Sequence, residues 1–121
     1  MGRLKQLLFA TCCAGLVLLS ASVTPAQSAS DASLNAVRSS DQADRAKDGK
    51  LGQITPGEHM RRAGIYLANR AFAAAREHWQ ALVDEYPNDT NVPAALYGIG
   101  RTFYQQRRYE EARQVYERVA R

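Results

Sequence analysis

Cysteine is nearly missing from this chain: its two copies, Cys12 and Cys13, are adjacent, and nothing after residue 26 contains another. Adjacent thiols suit neither a disulfide framework nor the paired spacings of zinc sites, so whatever folds here is stable without covalent staples. Histidine is almost as scarce. His59 and His78 are the only two, and Glu58-His59 lacks the second histidine, four residues on, that a zinc-protease helix requires. Residues 56–121 contain no serine or cysteine that could act as a nucleophile. They also contain no period-two apolar segment, which excludes an expectation of strands. Gly98-Ile99-Gly100 begins like a dinucleotide fingerprint, but no strand precedes it and no third glycine follows; close packing inside a helix accounts for Gly100. These absences argue against catalysis, a metal centre and a cofactor.

What is present fits one small folding unit. The 121 residues are 45% hydrophobic and 23% charged, near the globular average, with a formal charge of +4. Part of that charge sits in a segment that reads as an export signal. Arg3 and Lys5 give a positive start, Leu7 to Leu19 is an uncharged apolar run, and Ser20 to Ala26 is small and polar. Cleavage is expected after Ala26, within about three residues, leaving a periplasmic or secreted protein. An uncleaved anchor is the rival, because Leu7 to Val23 reaches the roughly 17-residue lower limit of a membrane span. A lipoprotein is a third reading, disfavoured by the poor match of Phe9-Ala10-Thr11 before Cys12 and by the apolar residues beyond both cysteines.

Between Gln27 and Thr55 the large apolar residues are only Leu34, Val37, Leu51 and Ile54. Such a stretch is expected to be a flexible polar linker, since it buries too little surface to offset the entropy of ordering its backbone. Ser40 to Lys47 has at most a transient polar helix with no apolar stripe to dock.

Helix signals then begin at Thr55-Pro56-Gly57-Glu58, where Thr55 can cap, Pro56 suits the first helical position and Glu58 completes a capping box. The periodicity predicts helices from 56 to about 69, from 72 to 86, from 92 to 106 with Asn91 as cap, and from 109 to the end. Two helical hairpins follow, over 56–89 and 93–121. Laid over each other at a shift of 37 residues, they match Ala63 with Gly100, Tyr66 with Phe103, Phe72 with Tyr109, Ala75 with Ala112, Arg76 with Arg113, Trp79 with Tyr116 and Leu82 with Val119. That is an internal repeat whose small residues let two helices approach closely while aromatics fill the flanks.

On these residues the sequence resembles the tetratricopeptide repeat family, whose unit is 34 residues. Leu96, Ile99, Gly100, Phe103, Ala112, Tyr116 and Val119 fall on signature positions in the second unit; Ala63, Tyr66, Ala75, Trp79, Leu82 and Pro87 do so in the first. His59 and Arg62 depart from the pattern, so the first turn of the first helix is expected to be exposed or frayed. The three extra residues sit at Asn88-Asp89-Thr90. The resemblance implies an all-α fold, two helix-turn-helix repeats of a solenoid. With an export signal, and with Tyr-Pro-Asn-Asp, Ala-Leu-Tyr-Gly-Ile-Gly and Arg-Tyr-Glu-Glu-Ala, the chain is more narrowly similar to bacterial envelope proteins of this family, of the Tol-associated or outer-membrane assembly type.

That resemblance implies a groove. Met60, Gly64, Leu67 and Ala68 in the first unit and Tyr97, Arg101, Tyr104 and Gln105 in the second would face it, and the second set has the character of a peptide-binding surface. The alternative reading of Tyr97 and Tyr104 is that they simply cover the neighbouring helix. The basic residues from Arg101 to Arg121 interleave with Glu110, Glu111 and Glu117, which reads as a solvated face and not as a nucleic-acid surface. Two repeats are fewer than the roughly three needed for independent stability, so Val115, Tyr116 and Val119 are expected to be uncovered, with self-association, a partner helix or a longer parent protein as remedies. The sequence thus reads as an exported adaptor binding a protein or peptide in the cell envelope. Its rivals are the N-terminal part of a longer envelope enzyme and a membrane-tethered adaptor.

Overall fold

A computed structural model describes residues 25–121, so the targeting segment up to residue 24, with Cys12 and Cys13, lies outside the described residues. Five helices follow in order: α1 (Pro25–Asp44), α2 (Pro56–Ala68), α3 (Phe72–Glu85), α4 (Val92–Gln105) and α5 (Tyr109–Val119). No strand occurs among the described residues, and none of their helices is long and apolar enough to cross a membrane.

Short turns fold α2 onto α3 and α4 onto α5, and α3 packs on α4 to join the two hairpins. The start of α2 is fixed as its sequence predicts on one side only. Thr55 accepts from the Glu58 N–H at 3.3 Å with Pro56 in the first turn. The Glu58 carboxylate, however, turns to Arg61 and Arg62 and leaves the other half of the capping box unmade. The cap of α4 also differs from expectation. Asn91 has helical backbone angles and makes no cap; Asp89 accepts from its backbone N–H and its side-chain amide, each at 2.8 Å.

Both hairpins turn in the same way. Arg70 and Arg107 adopt left-handed φ values of 57° and 60°. The Ala71 N–H reaches back to Tyr66 O and the Arg70 N–H to Leu67 O; Arg108 to Phe103 and Arg107 to Tyr104 repeat the pair. This paired closure satisfies the last carbonyls of α2 and α4 and reverses the chain within three residues.

The core runs through both hairpins: Ala63 and Tyr66 on α2, Ala75, Trp79, Leu82 and Val83 on α3, and Ala95, Leu96 and Ile99 on α4 are buried together. Small residues set the spacing. A Cβ on Gly98 would stand 2.7 Å from the Trp79 indole, and one on Gly100 would overlap the Tyr116 ring. The helices therefore meet backbone to ring at two places, one within the second hairpin and one between the hairpins.

The segment expected as a flexible linker is instead helical over Pro25–Asp44 and docks on α2. Its apolar contribution is small: Val37 is buried in the core and Leu34 packs partly against it. Polar contacts do the rest. Ser30 donates to Asn69 at 2.8 Å, Arg45 pairs with Glu77 at 2.8 Å, and Asp41 is buried among α2 and α3 side chains. The first turn of α2, expected to be exposed or frayed, is covered as a result; His59 is 0% exposed and Arg62 6%. Arg62 pairs with Asp41 and Asp44 of α1, and His59 stands against His78, which in turn faces Asp41; these polar partners explain their departure from an apolar repeat position.

Candidate functional site

Tyr97, Arg101, Tyr104 and Gln105 recur at helical spacing on α4 and form one exposed stripe, opposite the face that buries Leu96, Ile99 and Gly100. Together with Tyr116 they line a shallow depression. The tyrosines do two things at once. Tyr97 lies 5.7 Å ring to ring from Tyr116, and Tyr104 stands edge-on to Tyr109 at 5.3 Å, yet they remain 56% and 59% exposed. Burial, then the neighbouring Tyr97, pushes the Tyr116 phenol up, against the field of Arg101. Arg101 itself makes no ion pair among the described residues, whereas Arg108 pairs with Glu111, and Arg113 with Glu110 and Glu117. Two amphipathic rings thus flank an uncommitted guanidinium.

The first repeat does not extend this depression. Met60 and Leu67 are partly buried against the core and line none of it, while Gly64 and Ala68 are exposed without side chains to grip. Leu67 corresponds to Tyr104 by the repeat shift, but it packs against the core where Tyr104 is exposed. On α5, Glu117 pairs with Arg113.

Sequence reasoning missed a second constellation, because its members lie far apart in the chain. Asp41 accepts from Arg62 Nη1 at 2.7 Å and from the Tyr66 hydroxyl, and its second oxygen faces His78 Nε2 at 3.0 Å. The other nitrogen of His78, Nδ1, lies 3.1 Å from His59 Nδ1. Arg62 also reaches Asp44 at 2.7 Å and Glu58 at 2.7 Å. Burial alone would raise Asp41, but hydrogen bonds from Tyr66, His78 and Arg62 outweigh it and hold the carboxyl below its ordinary value. Burial, then the hydrogen bond to Asp41, raises the Tyr66 phenol. His59 is driven down to about 4 by burial and then by the charges of His78 and Arg62. Hydrogen bonds from Arg61 and Arg62 hold Glu58 at about 2.

A histidine held by an aspartate has the form of a general base, but this one faces no solvent: His78 and His59 are 0% exposed and Asp41 5%. His59 Nε2 is buried without a partner. Its geometry is that of a polar core that fixes α1. Among the described residues no three His, Cys, Asp or Glu side chains converge where a metal ion could sit.

Comparison with known proteins bears on the two hairpins. Residues 60–89 match one model of the tetratricopeptide repeat and residues 93–121 match another. No curated protein and no solved structure matches the chain.

Proposed function

Because the chain carries two tetratricopeptide repeats, a module through which proteins bind other proteins, we propose that it is an exported adaptor of the bacterial cell envelope whose α4 stripe takes a peptide or helix of a partner. The observation that carries the reading is Arg101, left without an acidic partner between the exposed rings of Tyr97 and Tyr104. A guanidinium there forks onto a carboxylate or a helix-end carbonyl, and the rings bury area at little rotamer cost. Export rests on Arg3, Lys5 and the apolar run from Leu7 to Leu19. No catalytic step and no cofactor enter the proposal.

Replacing Tyr97, Arg101 and Tyr104 together with Ala removes three anchors, each worth roughly 2 kcal/mol where it is a hot spot. Proteins captured from bacterial envelope extract by the parent should be lost from the variant at unchanged helicity by circular dichroism. Equal capture by both would remove the α4 stripe from the model. The mass of the N-terminus recovered from the envelope fraction tests export: cleavage near Ala26 supports a released adaptor, and an intact Met1 a tethered one.

A further inference from the structure

The two hairpin turns meet at one end of the molecule. Arg76, early in α3, donates to Thr102 Oγ1 at 3.0 Å and to Gln106 Oε1 at 2.7 Å, which sets the turn after α2 beside the turn after α4. Ser30 donates to Asn69, so the first half of α1 reaches the same end. Such turns form an edge that hairpins packed side by side leave open.

This edge gathers arginine. Arg70 and Arg107 occupy the left-handed positions of the turns, with φ of 57° and 60°, which glycine fills at less steric cost. Both are exposed, and neither makes an ion pair among the described residues. Backbone strain concentrates where the side chain it presents serves a ligand. Behind them two more arginines crowd a single ring: the guanidinium carbons of Arg76 and Arg108 each lie 4.6 Å from the centre of Phe103. Burial, then the charge of Arg108, pulls Arg76 below its ordinary value, and no carboxylate offsets either cause. The carboxylates that begin α5 are already engaged, Glu110 by Arg113 and Glu111 by Arg108, and Asp31 follows Ser30 in the sequence.

We propose that this edge, through Arg70, Arg76, Arg107 and Arg108, docks the folded unit on the anionic headgroups of a lipid bilayer. The four project from two turns and line neither the α4 depression nor the grooves on α3 and α5, a layout suited to a surface of many anions and not to one enclosed phosphate. Chain order points to the same surface. Ser20 to Thr24 are all that separates α1 from the apolar run Leu7 to Leu19, and α1 begins at the basic end. Each arginine near an anionic surface changes affinity roughly fivefold. The edge is separate from the α4 stripe, and its binding does not depend on a peptide there.

The test is co-sedimentation of the full chain with vesicles of phosphatidylcholine alone and of phosphatidylcholine with about one phosphatidylglycerol in three. The apolar run binds both alike and sets a common baseline, so the readout is the ratio of the two affinities. A ratio of roughly tenfold or more is expected at low salt, falling towards one above physiological ionic strength. Arg70→Gly combined with Arg107→Gly should remove most of that ratio, and the double variant should melt no lower than the parent by circular dichroism because glycine relieves both turns. Arg118→Gln combined with Arg121→Gln takes as much charge from the far end of α5 and should leave the ratio unchanged. Equal affinity for the two vesicles overturns the proposal, as does a ratio that survives the glycine variant. An equal loss in the Arg118 and Arg121 variant would reduce the effect to net charge, and a glycine variant that melts lower would assign the two arginines to the fold; either result also removes the docking edge.

Discussion

Gly64 and Gly98 both lie inside helices, yet their surroundings make opposite demands. Nothing lies within 4 Å of a Cβ placed on Gly64, whereas one placed on Gly98 meets the Trp79 indole at 2.7 Å. Gly64→Ala should therefore stabilise the fold by about 1 kcal/mol, the helix propensity gain alone. Gly98→Ala should destabilise it by about 1 to 3 kcal/mol, because overpacking moves a buried ring that has nowhere to go. Urea midpoints of the two variants against the parent check both signs, and a stabilised Gly98→Ala would mean that α3 and α4 are less closely packed than described. Little of this contrast is legible in the sequence. Gly100 could be read from its small-residue position in the repeat, but Gly98 acquires its role only when α4 lies on α3, 19 residues from Trp79 in the chain.

At the scale of elements, α1 is held more by charge than by apolar area, and its attachment should follow pH. The unfolded chain protonates His59 near 6.5, whereas in the fold it resists a proton until about 4. The unfolded state thus binds more protons in that window, and stability falls as pH drops from 6.5 to 4, by about 3 kcal/mol from this group. Asp41 acts in the same direction lower down. Its carboxyl is held below 3.8, so its contribution is present above that value and lost as pH falls through the folded one. The groups facing this cluster are Arg38 and Asp44 from α1, Arg45 just after it, Glu58, Arg62 and Tyr66 from α2, and Glu77 and His78 from α3. Thermal midpoints of parent and His59→Leu across pH 7 to 4 should diverge, with a flatter profile for the variant; parallel profiles would take His59 out of the explanation. Asp41→Asn leaves Arg62 short of a buried partner and should cost about 3 kcal/mol, read as loss of hydrogen-exchange protection over residues 28–44. The four helices from 56 onward were legible because a cap, Pro56 and the 3.6-residue period are local signals. The first helix was not. Its two large apolar residues, Leu34 and Val37, are too few to make a stripe, and the partners of Asp41 lie 21, 25 and 37 residues away at Arg62, Tyr66 and His78.

Across the whole molecule, the two hairpins and α1 share one core, so the unit should melt as one. Leu82 is fully buried in that core, and Leu82→Ala should cost about 2 to 5 kcal/mol, a large part of what so small a unit has to lose. Both hairpins should unfold in a single transition by circular dichroism, at a lower midpoint in L82A; two resolved steps would show that the hairpins are independent. The repeat was legible at this scale from the 37-residue register, and so was the outward stripe of α4. Its extension onto Met60 and Leu67 was not, because a position in a repeat does not fix how deeply its side chain sinks against the core, and both are partly buried there. The α5 face has no neighbour among the described residues; its counterpart on α3 does.

Trp79, the only tryptophan in the chain, stands where these scales meet. Its indole is buried against the backbone of α4 at Gly98, and its Nε1–H has no hydrogen-bond partner. A lone indole in so dry a place is an optical sensor already installed at the joint between the repeats. Its emission should be blue-shifted in the folded protein and should redden when α3 and α4 part, whether the cause is urea, acid or a partner that pries them open. No label is needed to watch the joint.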